Sequence, residues 1–402
     1  MLNLLLYIYI IFLPLSDMLF NIIYNFNILG ISINLIDILY ILITFILVIN
    51  KYKNNKLNND NIYKYLFIGF TLIICYNPII AFIYDNNIKL LLISILNCIF
   101  KYYPLILLID NDKINLSAQK LIMCLTISSL IFMILAYNNE YFNDLIYSGY
   151  FTTEIGNRSI PIDRAVGFIS LGDGNSQALF CTFIFAFTLY AFLEGFTNLL
   201  VVILAFIASF INVSYIASRG AFLALLLIIL VNFRINIIIS KIIIQRILMV
   251  IIILFIFTYF NKDKLSLVWF RIFESGITQL DLDPNAKSGR LASTKEGIKY
   301  IQNNPNVLLY GDVNGKFNLY GQTVHNGFIK SIHSIGIMGI IWIISFLLYI
   351  KKKIGKGYIS IIIPFVVSLL TLPDFAFLYY LFYIVLYKKI EDKSKLKIYE
   401  YK

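Results

Sequence analysis

The hydrophobic pattern of this chain is a succession of long apolar runs separated by short polar loops. Several runs approach the roughly 20 apolar residues that a helix needs to cross a bilayer. The pattern therefore predicts an all-α polytopic membrane protein with about twelve transmembrane helices in one domain, residues 1–402. The predicted spans are, to within about three residues at each end, 2–24, 31–50, 65–84, 88–110, 117–137, 174–194, 199–217, 220–233, 247–260, 327–350, 358–372 and 375–388.

One long polar stretch, residues 261–326, interrupts these runs and is predicted to be a large extracytoplasmic loop containing short helices. Ser288 is suited to cap a helix N-terminus, and Asn303-Asn304-Pro305 is suited to end that helix. The stretch ends where the next apolar run begins, so its last residues lie at a predicted membrane boundary.

The lysines predict the orientation of the chain in the membrane. Lysine-rich loops follow the second, fourth, eighth and tenth predicted spans and occupy the tail, whereas the intervening short loops are nearly free of lysine. By the positive-inside rule, both termini are cytoplasmic and the loops 138–173 and 261–326 lie outside. The first apolar run lacks a basic leader and a small-residue cleavage site, so we expect a retained span and no signal peptide.

Composition excludes several classes of protein. With 60% hydrophobic and 14% charged residues and a mean hydropathy of +0.82, the chain is too apolar for a soluble protein. Its net charge of +11 comes from loop lysines, which does not support nucleic-acid binding. Four scattered cysteines without C-x-x-C spacing, and two histidines outside any metal motif, predict no disulfide framework, metal or other cofactor.

Two arginines outside the large loop are candidates for an anion site. Arg164 precedes a glycine-rich approach to the sixth span, where the backbone can bend towards a ligand. Arg219 lies in the turn Ser218-Arg219-Gly220, where Gly220 can supply a positive φ and hold the arginine at the membrane boundary. The alternatives are a solvated loop arginine and an arginine that reaches lipid headgroups.

Two further arginines lie inside the large loop. Arg290 falls in the first turn of the helix that Ser288 would cap, where backbone N–H groups and the helix dipole favour an anion. A guanidinium there can grip a phosphate through two hydrogen bonds. Arg271 lies in an aromatic stretch and is the weaker candidate. For Arg290 the alternative is an exposed position on an amphipathic surface helix.

The pair His325-Asn326 lies at the junction of the polar loop and the tenth span. An imidazole with a pKa near neutrality can accept a proton from an attacking hydroxyl, so His325 is the candidate general base. A structural histidine is the alternative. Together with the arginines on the outer face, these residues predict a site for a lipid-linked phosphate or pyrophosphate.

This ordered set resembles the O-antigen polymerase and ligase superfamily of bacterial integral membrane glycosyltransferases. The matching pieces, spread over residues 160–345, are Arg164 with Gly167 and Asn175, Ser218-Arg219-Gly220-Ala221, Gly289-Arg290 with Pro305 and Gly311, and His325-Asn326 with Gly336-Ile-Met-Gly339. The resemblance implies a fold similar to the GT-C glycosyltransferases in the bacterial inner membrane, with the active site and large loop facing the periplasm.

The same resemblance implies roles and partners. Arg164, Arg219 and Arg290 would bind the pyrophosphate of an undecaprenyl-pyrophosphate-linked oligosaccharide, and His325 would act as base without a metal. Arg271 and Asn326 join the candidate substrate-binding set. Membrane lipids, a chain-length regulator and a flippase are the implied partners.

Three functions remain open at this point. A polymerase joining repeat units is favoured over a ligase because the residues before His325, Gln322-Thr-Val, lack the second histidine common in ligases. A transporter of lipid-linked sugars is the third reading, although a transporter should show internal repeats and charges in midplane helices.

Overall fold

The computed structural model describes residues 2–15, 26–28, 31–33, 35–52, 68–69, 71, 79, 92, 95–96, 99–100, 103–110, 116–138, 174–216, 218–233, 290–312, 326–371 and 377–400. Regular structure in these residues is almost entirely helical, so the predicted helical class is confirmed. The predicted span 247–260 lies outside the described residues, the predicted span 65–84 lies largely outside them, and the predicted span 88–110 is described in part.

The longer helices are labelled here in chain order. They are α1 Leu2–Phe12, α2 Leu35–Tyr52, α3 Tyr103–Asp110, α4 Ala118–Tyr137, α5 Gly174–Leu193, α6 Leu199–Ile216, α7 Arg219–Phe233, α8 Arg290–Asn303, α9 Asn306–Tyr310, α10 Gly327–Ile335, α11 Ile337–Ile354, α12 Tyr358–Thr371 and α13 Phe377–Glu400. Short 3₁₀ turns follow α1 at Leu13–Leu15 and α11 at Gly355–Gly357.

A short β-hairpin corrects the prediction near the start of the chain. Strands β1, Phe26–Ile28, and β2, Ile31–Ile33, pair antiparallel with Phe26 opposite Ile33. The hydrophobic pattern predicts that residues 31–33 begin the second span, 31–50, whereas in the structure they form β2. Only Leu29 and Gly30 separate the two strands, which is the loop length of the tightest hairpins.

Among the described residues, three helices are long and apolar enough to cross a membrane: α4, α5 and α6. Their bounds match the predicted spans 117–137, 174–194 and 199–217 closely, because an uninterrupted apolar run fixes both the existence and the length of such a helix. Shorter apolar helical segments lie in α1, α2, α7 and α12. The total of twelve spans stays a prediction.

Gly336 divides the predicted span 327–350 into α10 and α11. Its backbone has φ +70°, a left-handed conformation that favours glycine. A Cβ added to this residue would lie 2.6 Å from the carbonyl oxygen of Leu309 and 2.8 Å from that of Leu308. The helix therefore breaks where Leu308 and Leu309 approach it. The apolar sequence of residues 327–350 is continuous, so it does not predict this break.

The chain divides into two compact units. One comprises Met1–Leu121, Gln279–Gly355 and Leu369–Lys402, and the other comprises Ile122–Thr278 and Lys356–Ser368. In the first unit, Tyr383 of α13 donates its hydroxyl proton to the carbonyl of Ile10, and Lys389 donates to the carbonyl of Ile109 at the end of α3. These bonds join the last helix to the beginning of the chain.

The second unit is organised around α5. Within its apolar window 83% of the residues are buried, against 56% in α4 and 61% in α6, so α5 is the central helix. Phe132 of α4 meets Phe180 edge to face, and Phe365 of α12 meets Phe183 in the same way. Aromatic side chains thus fill the space on two sides of the central helix.

A seam of buried polar side chains joins α5 to α6. Gln177 donates its side-chain amide proton to Oδ1 of Asn212 at 2.8 Å, and Asn212 donates to the carbonyl of Ala208 at 2.8 Å. Ser209 donates to the hydroxyl oxygen of Thr182 at 3.2 Å. All four side chains are fully buried, so each polar group needs a partner inside the protein.

The Gln177–Asn212 bond should contribute measurably to stability. We expect Gln177→Leu to lower the free energy of unfolding by about 1 kcal/mol, because it leaves the Asn212 oxygen without this donor in an apolar interior. The purified protein in detergent, titrated with a denaturing detergent, provides the measurement. Thr188→Val is the matched control, since the Thr188 hydroxyl bonds only within α5, to the carbonyl of Ile184. Equal losses in both variants would contradict an interhelical role.

Candidate functional site

Arg219 is the first residue of α7. The residue before it, Ser218, is buried and caps the helix: its carbonyl accepts from Phe222 N–H at 3.0 Å and its hydroxyl from Ala221 N–H at 3.4 Å. Arg219 itself is half-buried. Arg219 therefore lies at the start of a helix, and its position at the membrane boundary stays a prediction.

Gly220 does not have the role that the sequence suggested. It lies in the first turn of α7, and the positive-φ glycines of the described residues are Gly195, Gly311, Gly336 and Gly355. A helical cap at Ser218 forms the junction, so a left-handed turn is not required there.

Arg290 is the first residue of α8, so it lies in the first turn of that helix, as predicted. Ser288, the predicted cap, lies outside the described residues. The helix ends at Asn303, and Pro305 is the N-cap residue of the next helix, α9, which confirms the predicted stop. In the described side chains of α8, Gly297 and Ile301 are buried, whereas Lys295, Glu296 and Lys299 are exposed. The helix thus presents one narrow face to the protein and a charged face to its surroundings.

Asn326 caps α10. Its side-chain oxygen accepts from the backbone N–H of Phe328 at 3.1 Å and of Ile329 at 3.2 Å. The extended backbone of Asn326, with φ −141° and ψ 114°, is typical of a residue that precedes a helix. The structure therefore assigns the Asn326 oxygen to the backbone, and substrate binding by Asn326 stays a prediction.

A cluster of four residues joins α8 to α10. His333 Nε2 lies 3.2 Å from the carbonyl oxygen of Gly297, and the His333 ring stacks on Tyr300 with centroids 5.5 Å apart. Tyr300 donates its hydroxyl proton to Asp312 Oδ1 at 3.0 Å, and Asp312 N–H donates to the His333 carbonyl at 2.7 Å. These contacts hold α8, which starts at Arg290, against α10, which Asn326 caps.

Sequence reasoning missed this cluster. It noted His333 as the second of two histidines and set it aside because it forms no metal motif with His325. The available signal was the rarity of a histidine within an apolar run, which usually requires a polar partner. That partner, the Gly297 carbonyl, lies in the polar loop, as does the stacking partner Tyr300, so the pairing has no local sequence pattern.

The structure describes some of the candidate residues and not others. Arg164, Arg271 and His325 lie outside the described residues, as does the side chain of Arg290. Arg290 and Asn326 belong to helices of the same unit, and Arg219 belongs to the second unit. Their convergence on one pyrophosphate therefore stays a prediction. In the described parts of the chain, no group of three His, Cys, Asp or Glu side chains is arranged to hold a metal ion.

No family model matches the chain, and no curated protein has significant sequence similarity to it.

The capping role of Asn326 can be tested by stability. We expect Asn326→Ala to lower the free energy of unfolding by about 1 kcal/mol, because two backbone N–H groups lose their acceptor. Asn326→Asp keeps an acceptor oxygen at the same place and should unfold like the wild type. Detergent-induced unfolding of the purified variants gives both values. An alanine variant as stable as the wild type would show that the cap is dispensable.

Proposed function

We propose that this protein is a membrane glycosyltransferase that polymerises surface polysaccharide, in the manner of an O-antigen polymerase. It would join undecaprenyl-pyrophosphate-linked repeat units at the periplasmic face of the bacterial inner membrane. Its large loop, residues 261–326, would face the periplasm and present Arg290 to the lipid-linked donor. The three apolar helices long enough to cross a membrane support the location of such an enzyme.

The observation that carries the proposal is the position of two arginines. Arg219 and Arg290 are the first residues of α7 and α8. A cation there opposes the helix dipole at a cost of about 0.3–1 kcal/mol, so helix stability does not account for either placement. Free backbone N–H groups and a guanidinium together are, in contrast, a favourable combination for binding phosphate oxygens.

The proposed reaction is a displacement at an anomeric carbon. The acceptor hydroxyl oxygen forms a bond to the anomeric carbon of the donor sugar, and the bond from that carbon to the pyrophosphate oxygen breaks. The leaving group departs as undecaprenyl pyrophosphate and takes the bonding electron pair. The hydroxyl proton passes to His325. Fixed cations that face the leaving charge supply the main stabilisation of the transition state, and the base adds about 10²–10⁴-fold.

Deletion of the gene, followed by complementation, tests this function. Lipopolysaccharide from the deletion strain should carry a single repeat unit on the core, because ligation continues without polymerisation. Wild-type protein should restore the ladder. Arg290→Lys should reduce long chains by at least about tenfold, because lysine cannot bind phosphate bidentately.

Lys295→Ala is the matched control, since it removes an exposed cation from the same helix. It should restore a normal ladder. A normal ladder with Arg290→Lys would contradict pyrophosphate binding by Arg290. Bare core with long chains held on the carrier lipid would show a ligase, and accumulation of single units on the cytoplasmic side would show a transporter.

A further inference from the structure

The contact between α8 (Arg290–Asn303) and α10 (Gly327–Ile335) contains the one histidine that the proposed reaction does not use. His333 is buried in this contact, with 6% of its surface exposed. It makes two interactions with α8, one to the Gly297 carbonyl and one to the Tyr300 ring. A buried ring with both a hydrogen bond and a stacking partner on another element holds that element in place.

Helix α8 is short and has an exposed charged face. It has 14 residues, a length at which an isolated helix is marginal in water. Among its described side chains, Lys295, Ile298 and Lys299 are exposed and Ile301 is buried. Contacts with the rest of the protein must therefore stabilise this helix, and the contacts of His333 with Gly297 and Tyr300 are among them.

Asp312 forms hydrogen bonds with both α8 and α10. Its carboxylate accepts from Tyr300 of α8, and its backbone N–H donates to the carbonyl of His333 in α10. One residue after α9 thus links the two helices a second time. Rotation or sliding of α8 against α10 would break bonds at Gly297, Tyr300 and Asp312 together.

This contact is near both predicted binding positions along the chain. Gly297 and His333 each lie seven residues, or about two helical turns, from Arg290 and Asn326 respectively. Helices transmit position rigidly over that length. A shift of about 1 Å in a positioning group can cost about 10²-fold in rate.

We propose that His333 is a positioning residue that, with Tyr300 and Asp312, docks α8 on α10 and fixes the position of Arg290 relative to Asn326. The link to Arg290 rests on the proposed function, whereas the docking itself does not. His333 acts through α8, and the proton transfer remains with His325.

Limited proteolysis of the full-length protein measures the docking directly. Trypsin cuts after Lys295 and Lys299, and a helix must open locally before it is cleaved. We expect His333→Ala to raise the rate of cleavage at these lysines about tenfold, through loss of the hydrogen bond and the stacking contact. His333→Gln, which keeps an N–H donor for Gly297, should restore part of the protection. Peptides are quantified by mass spectrometry from protein in detergent.

Activity of the same variants tests the link to Arg290. Consumption of an undecaprenyl-pyrophosphate-linked repeat unit by the purified protein should fall with His333→Ala and recover partly with His333→Gln. Tyr300→Phe, which keeps the stacking and loses only the bond to Asp312, should have a smaller effect on both measurements. Ile332→Ala, which changes a half-buried neighbour of His333, is the control and should affect neither.

Unchanged cleavage in His333→Ala would overturn the docking, and if activity is lost as well, His333 acts in the chemistry itself. Raised cleavage with full activity would overturn the link to Arg290. If the wild-type protein does not consume the donor, the proposed function fails. Cleavage needs no substrate, so the docking is then still decided by the proteolysis alone.

Discussion

Polar groups in this protein must find partners inside an apolar environment, and much of the described structure follows from that constraint. Water is absent from the hydrocarbon region of a bilayer, so an unsatisfied donor or acceptor there costs several kcal/mol. Several buried threonine hydroxyls accordingly donate to the carbonyl four residues earlier in their own helix. Such bonds, of 2.7 to 2.9 Å, occur at Thr44, Thr126, Thr182 and Thr188.

Longer polar side chains meet the same constraint between helices. Gln177 and Asn212 bond across α5 and α6, and Asn232 of α7 donates to the hydroxyl of Ser360 in α12 at 2.9 Å. An amide whose partner lies on a neighbouring helix restricts how far the two helices can slide. Packing and polar satisfaction therefore act together in the second unit.

In the polar loop, some polar groups of α8 are exposed and others are paired with α10. Helix α8 keeps charged residues on the exposed face and turns Gly297 and Tyr300 towards α10. The resulting contact combines His333 Nε2 beside the Gly297 carbonyl, stacking of His333 on Tyr300, and the hydrogen bond from Tyr300 to Asp312. Hydrogen bonds and ring stacking are directional, so they define how α8 lies against α10.

The sequence predicted the parts of this structure that depend on local pattern. The bounds of α4, α5 and α6 follow from apolar runs, and the C-terminal end of α8 follows from Pro305. The break at Gly336 could not be predicted, because its cause is the approach of the Leu308 and Leu309 carbonyls. The docking of His333 on Tyr300 depends in the same way on a contact between distant segments.

The candidate site is predictable to a similar extent. Arg290 lies in the first turn of its helix, as predicted, whereas Arg219 follows a cap at Ser218 and not the predicted Gly220 turn. The meeting of Arg164, Arg271 and His325 with these arginines is a tertiary property and stays a prediction. Asn326 illustrates the difference, because a residue chosen for substrate binding also caps the helix that follows it.

The central claim is that Arg290 and the lysine-rich loops lie on opposite sides of the membrane. Single cysteines at Lys295 and Lys352, both exposed, can be introduced into a variant lacking the four native cysteines and probed in intact cells with a membrane-impermeant thiol reagent. The account predicts labelling at position 295 and none at 352 until the membrane is permeabilised. Labelling at 352 without labelling at 295 would contradict it.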